Sequence, residues 1–143
     1  MSAEHSTKAV GYIRVASGSS RKRERSVYLQ RKAILEHAKI HNVRVVQFFA
    51  DHECIADIEL CQGLCDALAY VAGGKAAGLI VASMDRLTSS TVDFCRFAEL
   101  HKFGKDGPAL ISVREKLDTR TAQGRLMLGA LLAVARAELT ALN

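Results

Sequence analysis

The stretch GYIRVASGSS, residues 11–20, decides how the rest of the chain is read. With Ala9 and Val10 it makes an apolar run that ends at Val15 and spills into a loop of small residues. That is the pattern of a buried strand feeding a turn. One residue breaks the run. Arg14 places a guanidinium inside an apolar strand, and a buried charge is costly unless an opposite charge or a bound anion answers it. Ala16 and Ser17 then stand at the mouth of the loop.

Outward from this stretch, strands and helices alternate. Lys8–Ala16 is the first strand, SGSSRKRER (17–25) a flexible basic loop, and Ser26–Asn42 a helix. In that helix Val27, Ala33, Ile34 and Ala38 fall at helical spacing behind a Ser26 N-cap. VRVVQFFA (43–50) is β-rich, DHECIADIEL (51–60) is an acidic loop, and Cys61–Val71 is helical, closed by Gly73 and Gly74. AGLIVASM (77–84) reads as a buried parallel strand, Ser90–Phe103 as a helix, and PALISV (108–113) as a strand opened by the one proline. From Thr121 onward the chain is one long helix. Alternation of this kind predicts an α/β domain with a mostly parallel sheet. No repeat, low-complexity tract or linker divides it. The expectation is one domain over 1–143, with a flexible N-terminus at 1–7 and a long helix from about residue 120.

A chain of 143 residues can bury a proper core, and an apolar share of 49% excludes a disordered chain. No apolar run reaches the ~18 residues that a membrane span needs. MSAEHSTK holds no hydrophobic stretch, so no signal peptide is read, and a cytoplasmic, nucleoid-accessible protein is expected. Cys54, Cys61, Cys65 and Cys95 are read as buried, reduced thiols. His52, Cys54, Cys61 and Cys65 lack the paired spacing of a zinc site, so no metal is expected. The net charge of +5 is uneven: residues 1–50 carry +7, residues 51–100 carry −5 and residues 101–143 carry +3. A basic N-terminal third suits a polyanion such as DNA, or serves solubility alone.

The last helix has an apolar surplus. Leu126, Met127, Leu128, Leu131, Leu132, Val134, Leu139 and Leu142 wrap more than one face, with Ala130, Ala133, Ala135 and Ala137 between them. A helix packed on one sheet keeps a polar face. This one is expected to bury a second face against a partner, the other reading being a central helix of a monomer.

Five segments in order resemble the N-terminal catalytic domain of the serine recombinases, the resolvase/invertase family. YIRVAS is similar to its Y-x-R-V-S segment, and SVYLQRKAI to its S-x-x-x-Q helix start. ASMDRLTSS resembles its strand followed by D-R-L-x-R. DTRTAQGRLM resembles its D-T-x-x-x-G-R-L entry to a long helix, and AVARAEL the A-x-x-E-R turn within it. The resemblance implies a three-layer α/β/α domain with a mixed sheet and a C-terminal dimerisation helix. It also implies DNA cutting through a phosphoserine link, strand exchange in a tetramer, and no metal or nucleotide cofactor. In the resolvase/invertase branch a helix-turn-helix follows the long helix; none is read in this sequence.

Attack on a phosphodiester needs a nucleophilic oxygen and positive charge around the transition state. Arginine suits the second task because its planar fork pairs with two phosphate oxygens and stays charged when desolvated. Carried over residue by residue, the resemblance places the retained family positions at Arg14, Asp85, Arg86, Gln30 and Glu138. The nucleophile position holds Ala16. Three arginine positions hold Ser89, Cys61 and Leu139. Losing one preorganised charge donor typically costs ~10²–10³ in rate, so the expected result is a family fold with strand cleavage lost. Ser17, next to Gly18, is the candidate for a displaced nucleophile.

Three functional expectations follow. The first is an inactive, dimerising DNA-associated or regulatory protein, with an active recombinase as a further partner. The second is a working recombinase that uses Ser17. The third is an anion or small-ligand sensor in the ancestral phosphate pocket. Arg21, Lys22, Arg23 and Arg25 are the candidate DNA contacts, against a plain solvated loop. Arg14 has its own structural alternative, an ion pair with Asp85.

Overall fold

The computed structural model describes residues 6–54 and 58–141. Within them lie five strands, β1 (Thr7–Val15), β2 (Val43–His52), β3 (Gly78–Val81), β4 (Ala109–Ser112) and β5 (Leu117–Asp118). Four helices connect or follow them: α1 (Ser20–Ile40), α2 (Gln62–Ala72), α3 (Thr91–Leu100) and α4 (Ala122–Ala141). The sheet order is β2-β1-β3-β4-β5. All neighbours are parallel except β4 and β5, so the sheet is mixed, as the resemblance implied.

The alternation of side chains along the strands builds two cores. Ala9, Ile13 and Val15 of β1, Ile80 of β3 and Ile111 of β4 face one side and pack on Ile34 and Ala38 of α1. Val10 and Tyr12 of β1, Leu79 and Val81 of β3 and Leu110 of β4 face the other, against Leu64 of α2, Phe94 and Phe97 of α3 and Leu128 of α4. The result is three layers, α/β/α. Even-numbered positions of β1 point toward α2 and α3, and Arg14 is one of them.

The basic segment departs from its reading as a loop. Residues 20–26 are the first two turns of α1, capped by the Ser19 side chain, which accepts from the Lys22 amide at 3.2 Å. Ser26 is therefore inside the helix and does not cap it. The reason is physical. Lys and Arg are good helix formers, but these two turns carry no apolar residue, so no amphipathic period marks them. With no acid in the first turn, the helix's positive end stays uncompensated.

Two other departures are smaller. β5 pairs with β4 over only two residues, too few to leave a periodic signal. Asp51 and His52 extend β2 where a loop was read, and Ile58–Leu60 form a 3-10 turn; residues 55–57 of that loop lie outside the described residues. On α4, Gly124, Leu128 and Ala135 are buried while Leu126 is 75% and Val134 51% exposed. A central helix of a monomer is thereby excluded. Leu142 of the apolar surplus, and residues 1–5 of the N-terminus, fall outside the described residues. Among those described, no helix is long and apolar enough to cross a membrane.

Candidate functional site

The strand order reverses between β1 and β3. In open α/β sheets the crevice at the carboxyl ends of such strands is where ligands bind. Arg14 is the penultimate residue of β1, and the one-turn 3-10 helix Met84–Arg86 follows β3 at the same end. Topology thus brings Arg14, Asp85 and Arg86 together from sequence positions about seventy apart.

Arg14 is held at both its backbone and its side chain. Gln30, buried on α1, accepts from the Arg14 amide at 3.3 Å and donates to the Arg14 carbonyl at 2.8 Å. Its amide nitrogen also donates to the Ser26 hydroxyl at 3.0 Å. The Arg14 guanidinium donates from Nε to the Tyr12 phenol (3.2 Å), from Nη1 to the Leu87 carbonyl (2.9 Å) and from Nη2 to Cys61 Sγ (3.2 Å). A guanidinium has five N–H donors, so two remain. Asp85 is not its partner. Asp85 is exposed and accepts from the Ser83 hydroxyl, which corrects the expected Arg14–Asp85 ion pair. The Leu87 carbonyl, not the Asp85 carboxylate, accepts from the Arg14 guanidinium.

Behind Arg14 the network continues. The Tyr12 hydroxyl donates to Asp51 Oδ2 at 2.6 Å. Asp51 in turn accepts from the amides of Gly63 (2.7 Å) and Leu64 (3.0 Å), two of the open donors at the start of α2. This close approach requires glycine: a Cβ on Gly63 would stand 2.3 Å from the Ala50 carbonyl oxygen. Burial, then the hydrogen bond to Asp51, push the Tyr12 phenol well above its ordinary value, so it remains a neutral linker. The α2 N-cap residue is Cys61, joined to Cys54 in a disulfide, while Cys65 and Cys95 stay thiols. The expectation of four reduced cysteines is corrected on that point. The turn between β2 and α2 brings two side chains seven residues apart onto one spot, which sequence spacing alone does not show.

The remaining candidates sit as follows. Arg86 is half-buried and reaches the Arg14 carbonyl with Nη1 at 3.4 Å. Ala16 and Ser17 are exposed in the loop after β1, and Ser17 makes no hydrogen bond among the described residues. Arg21, Lys22 and Arg25 are exposed on the first turns of α1, and Arg23 pairs with Glu53 at 2.5 Å. Glu138 is exposed on α4 and has no hydrogen bond to the group around Arg14. Neither Arg14 nor Arg86 has a carboxylate partner among the described residues, which hold no cluster of three metal-ligating side chains. The end of β1 therefore carries two cations with no acid between them.

A model of the resolvase N-terminal domain matches residues 9–143. The chain belongs to the resolvase family. Its fold resembles the N-terminal catalytic domain of TP901-1 integrase, with a TM-score of 0.80, 20% identity and coverage of 95% of this chain and 99% of that one. It also resembles a resolvase-family site-specific recombinase from Streptococcus pneumoniae, with a TM-score of 0.73, 20% identity and coverage of 95% and 90%. The C-terminal catalytic domain of ISC1926 TnpA, an IS607-like serine recombinase, matches over 65% of this chain and 61% of its own, with a TM-score of 0.53 and 27% identity. No curated protein matches the chain.

Sequence reasoning missed three parts of this resolvase-family site: Tyr12, Asp51 and the Cys54–Cys61 bond. Asp51 had a signal. An acid directly after an apolar strand, ahead of a glycine that opens the next helix, is placed to cap that helix from outside. Tyr12 opens the YIRVAS segment, but its link to Asp51 is tertiary, as is the disulfide.

Proposed function

We propose that this resolvase-family domain associates with DNA as a dimer and does not cut it. The observation that carries the reading is the pairing of charge and methyl at the end of β1. Among the described residues Arg14 and Arg86 offer cationic donors with no carboxylate bonded to them, while Ala16 supplies no oxygen where the family resemblance expects the nucleophile. The geometry supports binding a phosphate more than attacking one. The exposed Arg21, Lys22 and Arg25 add charge at the positive end of α1, which suits contact with the nucleic-acid backbone independent of base sequence. The outer face of α4, with Leu126, Gly129, Ala130, Ala133, Val134 and Ala137 in solvent, supports a helix-to-helix dimer, since small residues allow close approach.

Supercoiled DNA incubated with the chain and quenched in denaturing detergent tests this directly. We expect retarded DNA at low salt, no covalent protein–DNA adduct, and a light-scattering mass of twice the 15.5 kDa chain that Leu126→Glu halves. A trapped adduct that vanishes in Ser17→Ala would establish the displaced nucleophile and overturn the proposal.

A further inference from the structure

The contact that the fold does not require is between Arg14 and a sulfur. Arg14 Nη2 donates to Cys61 Sγ at 3.2 Å, and that sulfur is half of the Cys54–Cys61 disulfide. The two halves differ. Cys61 is 1% exposed, sits at the start of α2 and touches a guanidinium. Cys54 is half-buried and more open to an incoming thiol. Thiol–disulfide exchange favours attack on the accessible sulfur and departure of the sulfur better held as a thiolate.

We propose that Cys54–Cys61 is an exchangeable redox bond, opened by a dithiol that attacks Cys54 and expels Cys61 onto Arg14, and that opening it reduces the positive charge offered at the end of β1. The charge effect rests on the DNA association proposed above; the exchange does not. In the first step one thiolate of the dithiol bonds to Cys54 Sγ, the protein S–S bond breaks, and Cys61 leaves with the electron pair. In the second step the other thiol of the reductant gives its proton to Cys54 and closes on its own partner sulfur. The protein pair gains two electrons, the dithiol loses two and becomes a cyclic disulfide, and the proton of the attacking thiol goes to solvent. Charges around Cys61 act in both directions. Arg14 on β1 holds the thiolate, with Arg86 one backbone carbonyl behind it. Asp51 on β2 opposes it, but its two oxygens already accept from the Gly63 and Leu64 amides and from neutral Tyr12.

The oxidised chain keeps the full Arg14 charge, and the reduced chain pairs that charge with sulfur. Loss of about one phosphate contact weakens DNA binding about eight-fold at about 0.1 M salt.

The full chain, alkylated without reductant and mapped by mass spectrometry, is expected to retain the Cys54–Cys61 link. Glutathione, which cannot close a ring, is expected to lodge on Cys54. After dithiothreitol, ultraviolet thiolate absorbance near neutral pH is expected to count one thiolate, lost in Arg14→Met and kept in Cys54→Ser. The second variant leaves Cys61 beside Arg14 and keeps the test open if the first fails to fold. Duplex DNA is expected to bind the reduced chain several-fold more weakly, with no such change in Cys54→Ser/Cys61→Ser. Glutathione on Cys61, absence of the thiolate, or equal DNA affinity in the two states overturns the proposal. A chain that binds no DNA in either state refutes the function proposed above and the charge effect with it.

Discussion

Arg14 and Arg120 sit at opposite ends of one sheet and are held in opposite ways. At the amino ends of the parallel strands, Arg120 faces Asp118 across several contacts: Nη2 to Oδ2 at 2.7 Å, and Nε to Oδ1 and Oδ2 at 3.0 and 3.2 Å. Its remaining donors reach the Thr7 hydroxyl (3.1 Å) and the carbonyls of His41 (2.9 Å) and Asn42 (3.5 Å). At the carboxyl ends, Arg14 meets a phenol, a carbonyl and a sulfur, all neutral, and Asp51 only through Tyr12. One arginine is neutralised and ties β5 to the starts of β1 and β2. The other keeps its charge. A fold that needed only a clamp at the end of β1 would be served by the first arrangement, and the surplus charge suits the phosphate contact proposed above.

Breaking the neutral clamp gives the largest effect. Arg120→Met leaves Asp118, with a side chain only 13% exposed, without its guanidinium and with only the residue-120 amide donating to it. Removing one partner of a fully buried pair costs 3–5 kcal/mol, and the partial exposure here reduces that to roughly 2–3 kcal/mol. The melting temperature is expected to fall by roughly 6–10 °C, with DNA retardation unchanged in protein that remains folded. A melting shift within a degree of the parent would show that the clamp contributes nothing.

Arg14→Met is expected to reverse that order. It strands no carboxylate and unpairs only weak acceptors, so the stability loss is about 1 kcal/mol. Its main effect falls on DNA: affinity drops, and the slope of log affinity against log salt flattens by about 0.9, one phosphate contact. Titrations of the parent and variant at three salt concentrations measure both quantities. A variant that loses several kcal/mol and keeps its salt slope would make Arg14 a second structural clamp, and the contrast between the two ends would disappear.

How much of this was readable in the sequence follows from the range of each interaction. β1, β3 and β4 announced themselves because buried parallel strands are continuous apolar runs, β2 through its β-rich VRVVQFFA, and α2 and α3 because their caps are local. Residues 20–26 did not, since a helix segment with nothing to bury shows no period. β5 is two residues long and defined by its neighbour. In the site, Arg14 stood out as a charge in an apolar run, and Arg86 through the family motif. The Tyr12–Asp51 link and the disulfide were hidden because each matters only through a partner that folding brings near, while Asp51 alone carried a local signal as a helix cap. Gln30 was placed by resemblance with the expected site residues; in the structure it pairs with the backbone of Arg14 and holds the strand end in place.

The smallest effect is a pH dependence at the neutral end of the sheet. His37 stacks on His41, ring centroids 4.0 Å apart, and its Nε2 has no hydrogen-bond partner among the described residues. Burial, then the neighbouring His41, lower its pKa; Asp118 pulls it up and Arg120 pushes it down. An unfolded histidine titrates near 6.5. Between that value and the lower folded one the unfolded chain binds more protons, so stability falls as pH drops through this window and is flat above it. Asp118 adds a second, more acidic loss. Burial works against its ionisation, but the hydrogen bonds from Arg120 outweigh it and hold the carboxyl below its ordinary value, so that contribution disappears below about pH 4. The two steps are separable. His37→Gln is expected to abolish the first and leave the second, whereas Arg120→Met, by leaving Asp118 to act on His37 alone, is expected to raise the His37 pKa and shrink the first. Urea denaturation across about pH 7.5 to 3 with a ring-proton titration of His37 reads both. A His37 that titrates at or above 6.5 in the parent chain would show that its ring is not held neutral by burial, and would place the acid sensitivity of this end on Asp118 alone.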